Sequence, residues 1–282
     1  MSERSVAYRL AVSAITIAAV VFMSGCIGVF FNQSKLVFHP HSDIAMRPSQ
    51  AGLEYEDLRL SPAPDAFINA WYVPAEGARR TVIFCHGNGE NIGDDLDYII
   101  LYHELGANLL IFDYRGYGRS SGKPSEKATY EDMTACWKYV TEERGTPPGE
   151  IVLAGRSLGG AVAANLASRV TPAGLILEST FTSVPDMGRE IFPLLPIRLM
   201  ARIHYDTKAI LPSVKCPVLI LHSRRDEVIP FHHSERLFEI ANEPKRFVEI
   251  EATHNDSPLE KGEALREAIG DFIAGRWPPA NR

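Results

Sequence analysis

Two kinds of hydrophobic pattern divide this chain. From Leu10 to Phe31 no charged residue occurs, and a run of that length can cross a bilayer, which takes about 20 apolar residues. After it, short apolar runs alternate with stretches of helical spacing. The runs Leu53–Leu60, Ala66–Val73, Thr81–Cys85, Asn108–Asp113, Ile151–Ala154, Leu175–Glu178, Val218–His222 and Phe247–Ile250 predict strands. Helical spacing covers 94–104, 129–143, 158–169, 232–241 and 258–274. Short apolar strands separated by helices predict an α/β fold with a mostly parallel sheet covered on both faces. The segment at about 180–214, between the sixth and seventh strands, reads as a short lid. It carries Ile191-Phe192-Pro193-Leu194-Leu195-Pro196-Ile197 and Leu199-Met200. Three roles are open for these apolar residues: lining a ligand pocket, touching a bilayer, or packing on the core.

Arg4 and Arg9 precede the N-terminal apolar run, which predicts a cytoplasmic N-terminus and export of the chain beyond the run. Within the run, Met23-Ser24-Gly25-Cys26 resembles a bacterial lipoprotein cleavage box, with Met where Leu is commoner. Three readings compete. Cys26 is lipidated after cleavage; or the segment is an uncleaved anchor in which Cys26 is a small apolar residue; or a secretory signal is removed and the rest is soluble. The first two tether the chain to a membrane on the periplasmic or envelope side of a bacterium. The chain therefore divides into a membrane-targeting segment, residues 1–32, and an α/β domain, residues 33–282.

Composition narrows the partners. The 282 residues are 45% hydrophobic, enough for one large core. The net charge of −6 and the absence of a basic stripe argue against nucleic acid. The four cysteines form no CxxC pair and the histidines show no metal-ligand spacing, so no metal site is expected.

In a parallel sheet, ligands bind past the C-terminal strand ends, and there the chain places its chemistry. Gly155-Arg156-Ser157-Leu158-Gly159 follows Ile-Val-Leu-Ala and opens an Ala-rich helix. A sharp strand-to-helix turn exposes a serine, and glycines two residues to either side remove Cβ clashes. Ser157 is thus the candidate nucleophile rather than a helix cap. His254, after the last strand, is the candidate base. Asp226, after the seventh strand, is the candidate acid that orients it, with Glu178 as runner-up. Asp113 opens a Gly-rich turn and reads as structural, and Asp256 lies too close to His254 in sequence. The backbone N–H groups of Asn88 and Leu158 are the candidate oxyanion donors.

His86-Gly87-Asn88-Gly89, Asp113-Tyr114-Arg115-Gly116-Tyr117-Gly118, Gly155-Arg156-Ser157-Leu158-Gly159-Gly160, Arg225-Asp226 and His254-Asn255-Asp256 occur in one order over about residues 80–260. In this the chain resembles the α/β-hydrolase family. Gln33 to Pro40 and Glu178 to Ser183 are similar to the membrane-tethered, small-lid bud-emergence branch, which includes protein depalmitoylases; Ala252-Thr253 departs from that branch, which often has glycine there. The resemblance implies an eight-stranded sheet, no cofactor, and hydrolysis of an ester or thioester, without naming a substrate; a small or lipid-like acyl compound is the partner expected. Two alternatives stay open: a peptidase or amidase using the same three residues, and a non-catalytic scaffold on the same fold.

Overall fold

The computed structural model describes residues 3–276. One sheet organises the chain. Its strands are β1 (Glu56–Ala63), β2 (Ala66–Val73), β3 (Thr81–Cys85), β4 (Asn108–Phe112), β5 (Ile151–Arg156), β6 (Gly174–Glu178), β7 (Val218–Ser223) and β8 (Lys245–Ile250). Their order is β1-β2-β4-β3-β5-β6-β7-β8. The pairs β1–β2 and β2–β4 are antiparallel and the rest are parallel. This is the eight-stranded, mostly parallel sheet that the resemblance implied.

Alternation along the strands feeds two cores. Ile83 and Cys85 point to one face, with Met133, Cys136 and Val162. Val82 and Phe84 point to the other, with Ile99, Tyr102 and Ile269. The first face is covered by α3 (Glu126–Lys138) and α4 (Leu158–Ala167), the second by α2 (Leu96–Glu104) and α9 (Gly262–Ile273). Strands buried on both faces read as unbroken apolar runs, which is why β3 and β4 were legible. Each fully buried Leu or Ile contributes about 1.5–3 kcal/mol.

Some boundaries differ from the sequence reading for local reasons. The third helix begins at Glu126, because the Ser125 hydroxyl accepts the Ala128 N–H at 3.1 Å and caps it. It ends in a π-helical turn over Tyr139–Glu143. β1 begins at Glu56, where its ladder with Tyr72 of β2 starts. All four cysteines are free thiols.

The N-terminal helix α1 (Glu3–Val37) is continuous through the apolar run and on to Val37. Its segment Ala7–Val37 is long and apolar enough to span a membrane. Immediately after it Phe38 is buried, and the His39 N–H donates to the Asn88 carbonyl at 3.1 Å.

The lid between β6 and β7 consists of three short helices, α5 (Val184–Ile191), α6 (Ile197–Met200) and α7 (Thr207–Ile210). The Ser183 hydroxyl caps α5 by accepting the Asp186 N–H. The Asp186 carboxylate in turn receives Lys208 of α7 and the Thr182 hydroxyl. α8 (His232–Ile240) follows β7.

Candidate active site

Register in the sheet gathers the sequence candidates. Cys85 pairs with Gly155, Arg156 with Glu178 and Ser223 with Ile250, so the strand ends that precede Gly87, Ser157, Asp226 and His254 lie at one edge. Ser157 itself sits at φ +54° and ψ −121°, an uncommon conformation for a residue with a side chain. The turn fits only because its neighbours lack Cβ atoms. A Cβ on Gly155 would fall 2.1 Å from the Gly159 carbonyl oxygen, and one on Gly159 would fall 2.0 Å from that of Cys85.

The Ser157 Oγ lies 3.3 Å from His254 Nε2, and His254 Nδ1 lies 2.8 Å from Asp226 Oδ2. The three side chains predicted from sequence therefore form one hydrogen-bonded line. Asp226 Oδ1 accepts the N–H groups of Val228 and Ile229 at 2.9 and 2.8 Å. Burial alone would raise this carboxyl, but the hydrogen bonds from His222 and His254 hold it well below the usual carboxylate range. An ionised Asp226 keeps the proton on Nδ1, which leaves Nε2 with its lone pair toward the serine.

His222 was not singled out by its sequence position. It is fully buried, and its Nε2 lies 2.9 Å from the Ile229 carbonyl and 3.2 Å from Asp226 Oδ2. The Ser234 hydroxyl, 2.5 Å from Nδ1, donates to that nitrogen, so the proton sits on Nε2 between its two acceptors. The available signal was a histidine closing an apolar strand four residues before an aspartate.

Arg156 was also missed, although it lies inside the serine motif. Its buried guanidinium donates to the His254 carbonyl at 2.7 Å and to Asn255 Oδ1 at 3.3 Å. It also pairs with Glu90, whose other oxygen accepts the Gly87 N–H at 3.0 Å. One side chain thus ties the histidine loop to the loop that carries Asn88.

The remaining candidates fall elsewhere. Glu178 accepts from Tyr98 at 2.5 Å and from Lys261 at 2.6 Å, beneath the sheet edge; it has no bond to His254. Asp113 accepts the Ile92 N–H at 2.9 Å, the structural role expected of it. Asp256 is taken up by Thr253. His232 and His233 are neighbours in sequence. Both lie in the first turn of α8 with stacked rings, and both approach Glu190 of α5, at 2.9 and 3.2 Å.

The backbone N–H groups of Asn88 and Leu158 have no intramolecular acceptor among the described residues. Both residues line, with Ser157, a cavity of about 320 Å³. Its other walls are mostly apolar: Val29, Leu36 and Val37 of α1, with Gln33 among them, and Met187, Ile191 and Phe192 of the lid. Ser157 and Asn88 also border an adjoining pocket with His254 and Glu90.

The arrangement has relatives. A family profile described as Serine aminopeptidase, S33 matches residues 76–208. A Saccharomyces cerevisiae protein described as membrane protein YNL320W is 33% identical over 257 residues, covering 87% of this chain and 90% of the yeast chain. Schizosaccharomyces pombe bem46 is 29% identical, covering 88% of each chain. Arabidopsis thaliana WAV2, described as an alpha/beta hydrolase domain-containing protein, is 31% identical, covering 89% and 90%. Among solved structures, the Pyrococcus furiosus esterase Pf2001 superposes with a TM-score of 0.72 at 21% identity, over 85% of this chain and 99% of the esterase. The N-terminal apolar helix and the yeast membrane relative support membrane tethering. By its sheet, the order of its motifs and these similarities, the chain belongs to the α/β-hydrolase family and resembles its bem46 branch.

Proposed function

We propose that the chain is a serine hydrolase that cleaves carboxylic ester or thioester bonds through an acyl-enzyme. The observation that carries this reading is the line Ser157–His254–Asp226, at 3.3 and 2.8 Å, whose serine lines an apolar cavity. A distance of 3.3 Å suits a resting base, since such contacts tighten when substrate binds.

In the proposed reaction, His254 Nε2 takes the Ser157 proton as Oγ bonds to the acyl carbon. The oxyanion rests on the Asn88 and Leu158 N–H groups; losing one such donor costs about 2.7–4 kcal/mol in the barrier. The tetrahedral intermediate collapses, the C–O or C–S bond breaks, and the alcohol or thiol leaves with the proton from His254. Water then attacks the acyl-serine, His254 takes its proton, and Ser157 is released with it as the acid departs. Asp226 stabilises the imidazolium formed in each half.

The name of the matching profile favours a second reading, aminopeptidase activity on the same three residues. A free α-amino group needs an acidic partner. The cavity lining contains no carboxylate, and Glu90 in the adjoining pocket is paired with Arg156. The apolar walls suit an acyl chain better.

We read α1 as the tether and its positive N-terminal flank as cytoplasmic, which exports residues 33–282. Cys26 is the candidate lipidation site. Turnover of p-nitrophenyl esters, acyl thioesters and aminoacyl anilides by the full chain in detergent tests the proposed activity. Esters and thioesters are expected to turn over; turnover of the anilides alone would replace this reading with the peptidase.

A further inference from the structure

Helix α1 is more than a leash. Its last turns stand inside the architecture of the cavity: Val29, Gln33, Leu36 and Val37 form one wall, opposite Met187 and Ile191 of α5. The wall is fixed by a single amide. Gln33 Nε2 donates to the Met200 carbonyl at 2.8 Å, and Gln33 Oε1 accepts the Arg202 N–H at 2.7 Å. One side chain thereby satisfies two backbone groups just past α6. Arg202 also lies over the Phe30 ring, 5.5 Å from its centroid. One turn and more toward the N-terminus, α1 meets the lid tip, where a Cβ on Gly25 would lie 3.8 Å from Leu195.

The depth of these contacts follows from the helix. A bilayer core takes about 20 helical residues, and the charge-free run begins at Leu10. Twenty residues on from Leu10, the helix reaches about Val29, so the cavity wall from Val29 to Val37 stands at the boundary between hydrocarbon and headgroups. The lid tip beside Gly25 sits at or below that boundary. Its apolar side chains face outward there, with Leu194 and Leu199 85% and 89% exposed and Ile191 62% exposed. Such exposure is costly in water and favourable in lipid. The lid surface is thus continuous with the lipid-facing surface of α1.

We infer that the cavity is entered sideways from the bilayer, between α1 and the lid, by the acyl chain of a membrane-borne ester or thioester. Gln33 holds the two sides of that entrance at a fixed spacing, and Val29 and Leu36 set the chain length admitted. This inference rests on Ser157 as the nucleophile. The depth is counted on α1 as an uncleaved span from Leu10; every wall residue lies after Cys26 and so remains in the chain whether or not that residue is processed.

The test uses the full chain in phosphatidylcholine vesicles. It compares kcat/KM for a p-nitrophenyl palmitate dispersed in the bilayer with that for water-soluble p-nitrophenyl acetate. Val29→Trp is expected to lower the palmitate-to-acetate ratio at least tenfold and Gln33→Ala several-fold, whereas Leu36→Ala raises it. Phe31→Trp, on the exposed side of α1, leaves the ratio unchanged. Fluorophosphonate labelling of each variant reports whether the serine site is folded. If labelling persists and the ratio stays unchanged in Val29→Trp, Leu36→Ala and Gln33→Ala, the entrance is wrong. If the wild type itself is neither labelled nor active on either ester, the serine hydrolase reading fails first.

Discussion

The Arg156 guanidinium donates to the backbone carbonyl of His254 at 2.7 Å while it pairs with Glu90. The residue before the serine therefore fixes the loop of the base and, through the Gly87 N–H on Glu90, the loop of the oxyanion donor. Arg156→Ala leaves Glu90 poorly paired in a part-buried site, and breaking such a pair typically costs about 3–5 kcal/mol. Arg156→Lys keeps the charge but loses the fork that reaches two loops. Both variants are expected to lower kcat by about 10- to 100-fold, the range in which a small misplacement of catalytic groups acts, with a smaller change in KM. Steady-state kinetics beside circular dichroism would check this. A loss confined to stability, with kcat intact in the folded fraction, would reduce Arg156 to a structural ion pair.

His222 shares Asp226 Oδ2 with His254. His222→Ala removes one of the groups that keep this carboxylate low and aimed, so kcat is expected to fall about tenfold. That is far less than the roughly 10⁴-fold loss seen when the acid of a serine triad is replaced by its amide, which is the expectation for Asp226→Asn. Comparing kcat for the two variants with one short-chain ester measures the difference.

The pH dependence of stability should carry the mark of Asp226. A carboxyl held below its unfolded value contributes stability that is present above the ordinary carboxylate pKa of about 4 and lost as pH falls through the lowered one. The difference in unfolding free energy between wild type and Asp226→Asn should shrink as pH falls below about 4. Urea unfolding at a series of pH values tracks it. A difference that grew toward acid would contradict the assigned hydrogen bonds.

Gly159→Ala should fail in a different way. Its Cβ would lie 2.0 Å from the Cys85 carbonyl oxygen, and backbone cannot yield as a flexible side chain can. The expected loss is at least the roughly 1–3 kcal/mol of an overpacked core, together with the elbow at Ser157. Thermal unfolding and fluorophosphonate labelling should therefore fall together.

Much of this was legible in the sequence where local physics decides the outcome. β2 and β3 could be read to the residue because they are largely buried on both faces and so nearly continuous apolar runs, broken in β2 only by Asn69. Ser157 was legible because a strand, two flanking glycines and a small-residue helix start all agree. Arg156, His222 and Gln33 were not, because their partners lie far along the chain or on backbone atoms: Arg156 reaches His254, and Gln33 reaches Met200 and Arg202. Their chemistry is set by tertiary contact and leaves no periodic signal.

The central claim is that Ser157 is an activated nucleophile. Labelling of the full chain with a fluorophosphonate probe, beside Ser157→Ala, tests it most directly. One labelled serine is expected in the wild type and none in the variant. Equal labelling of both, or none in a wild type whose folding is verified, would contradict it.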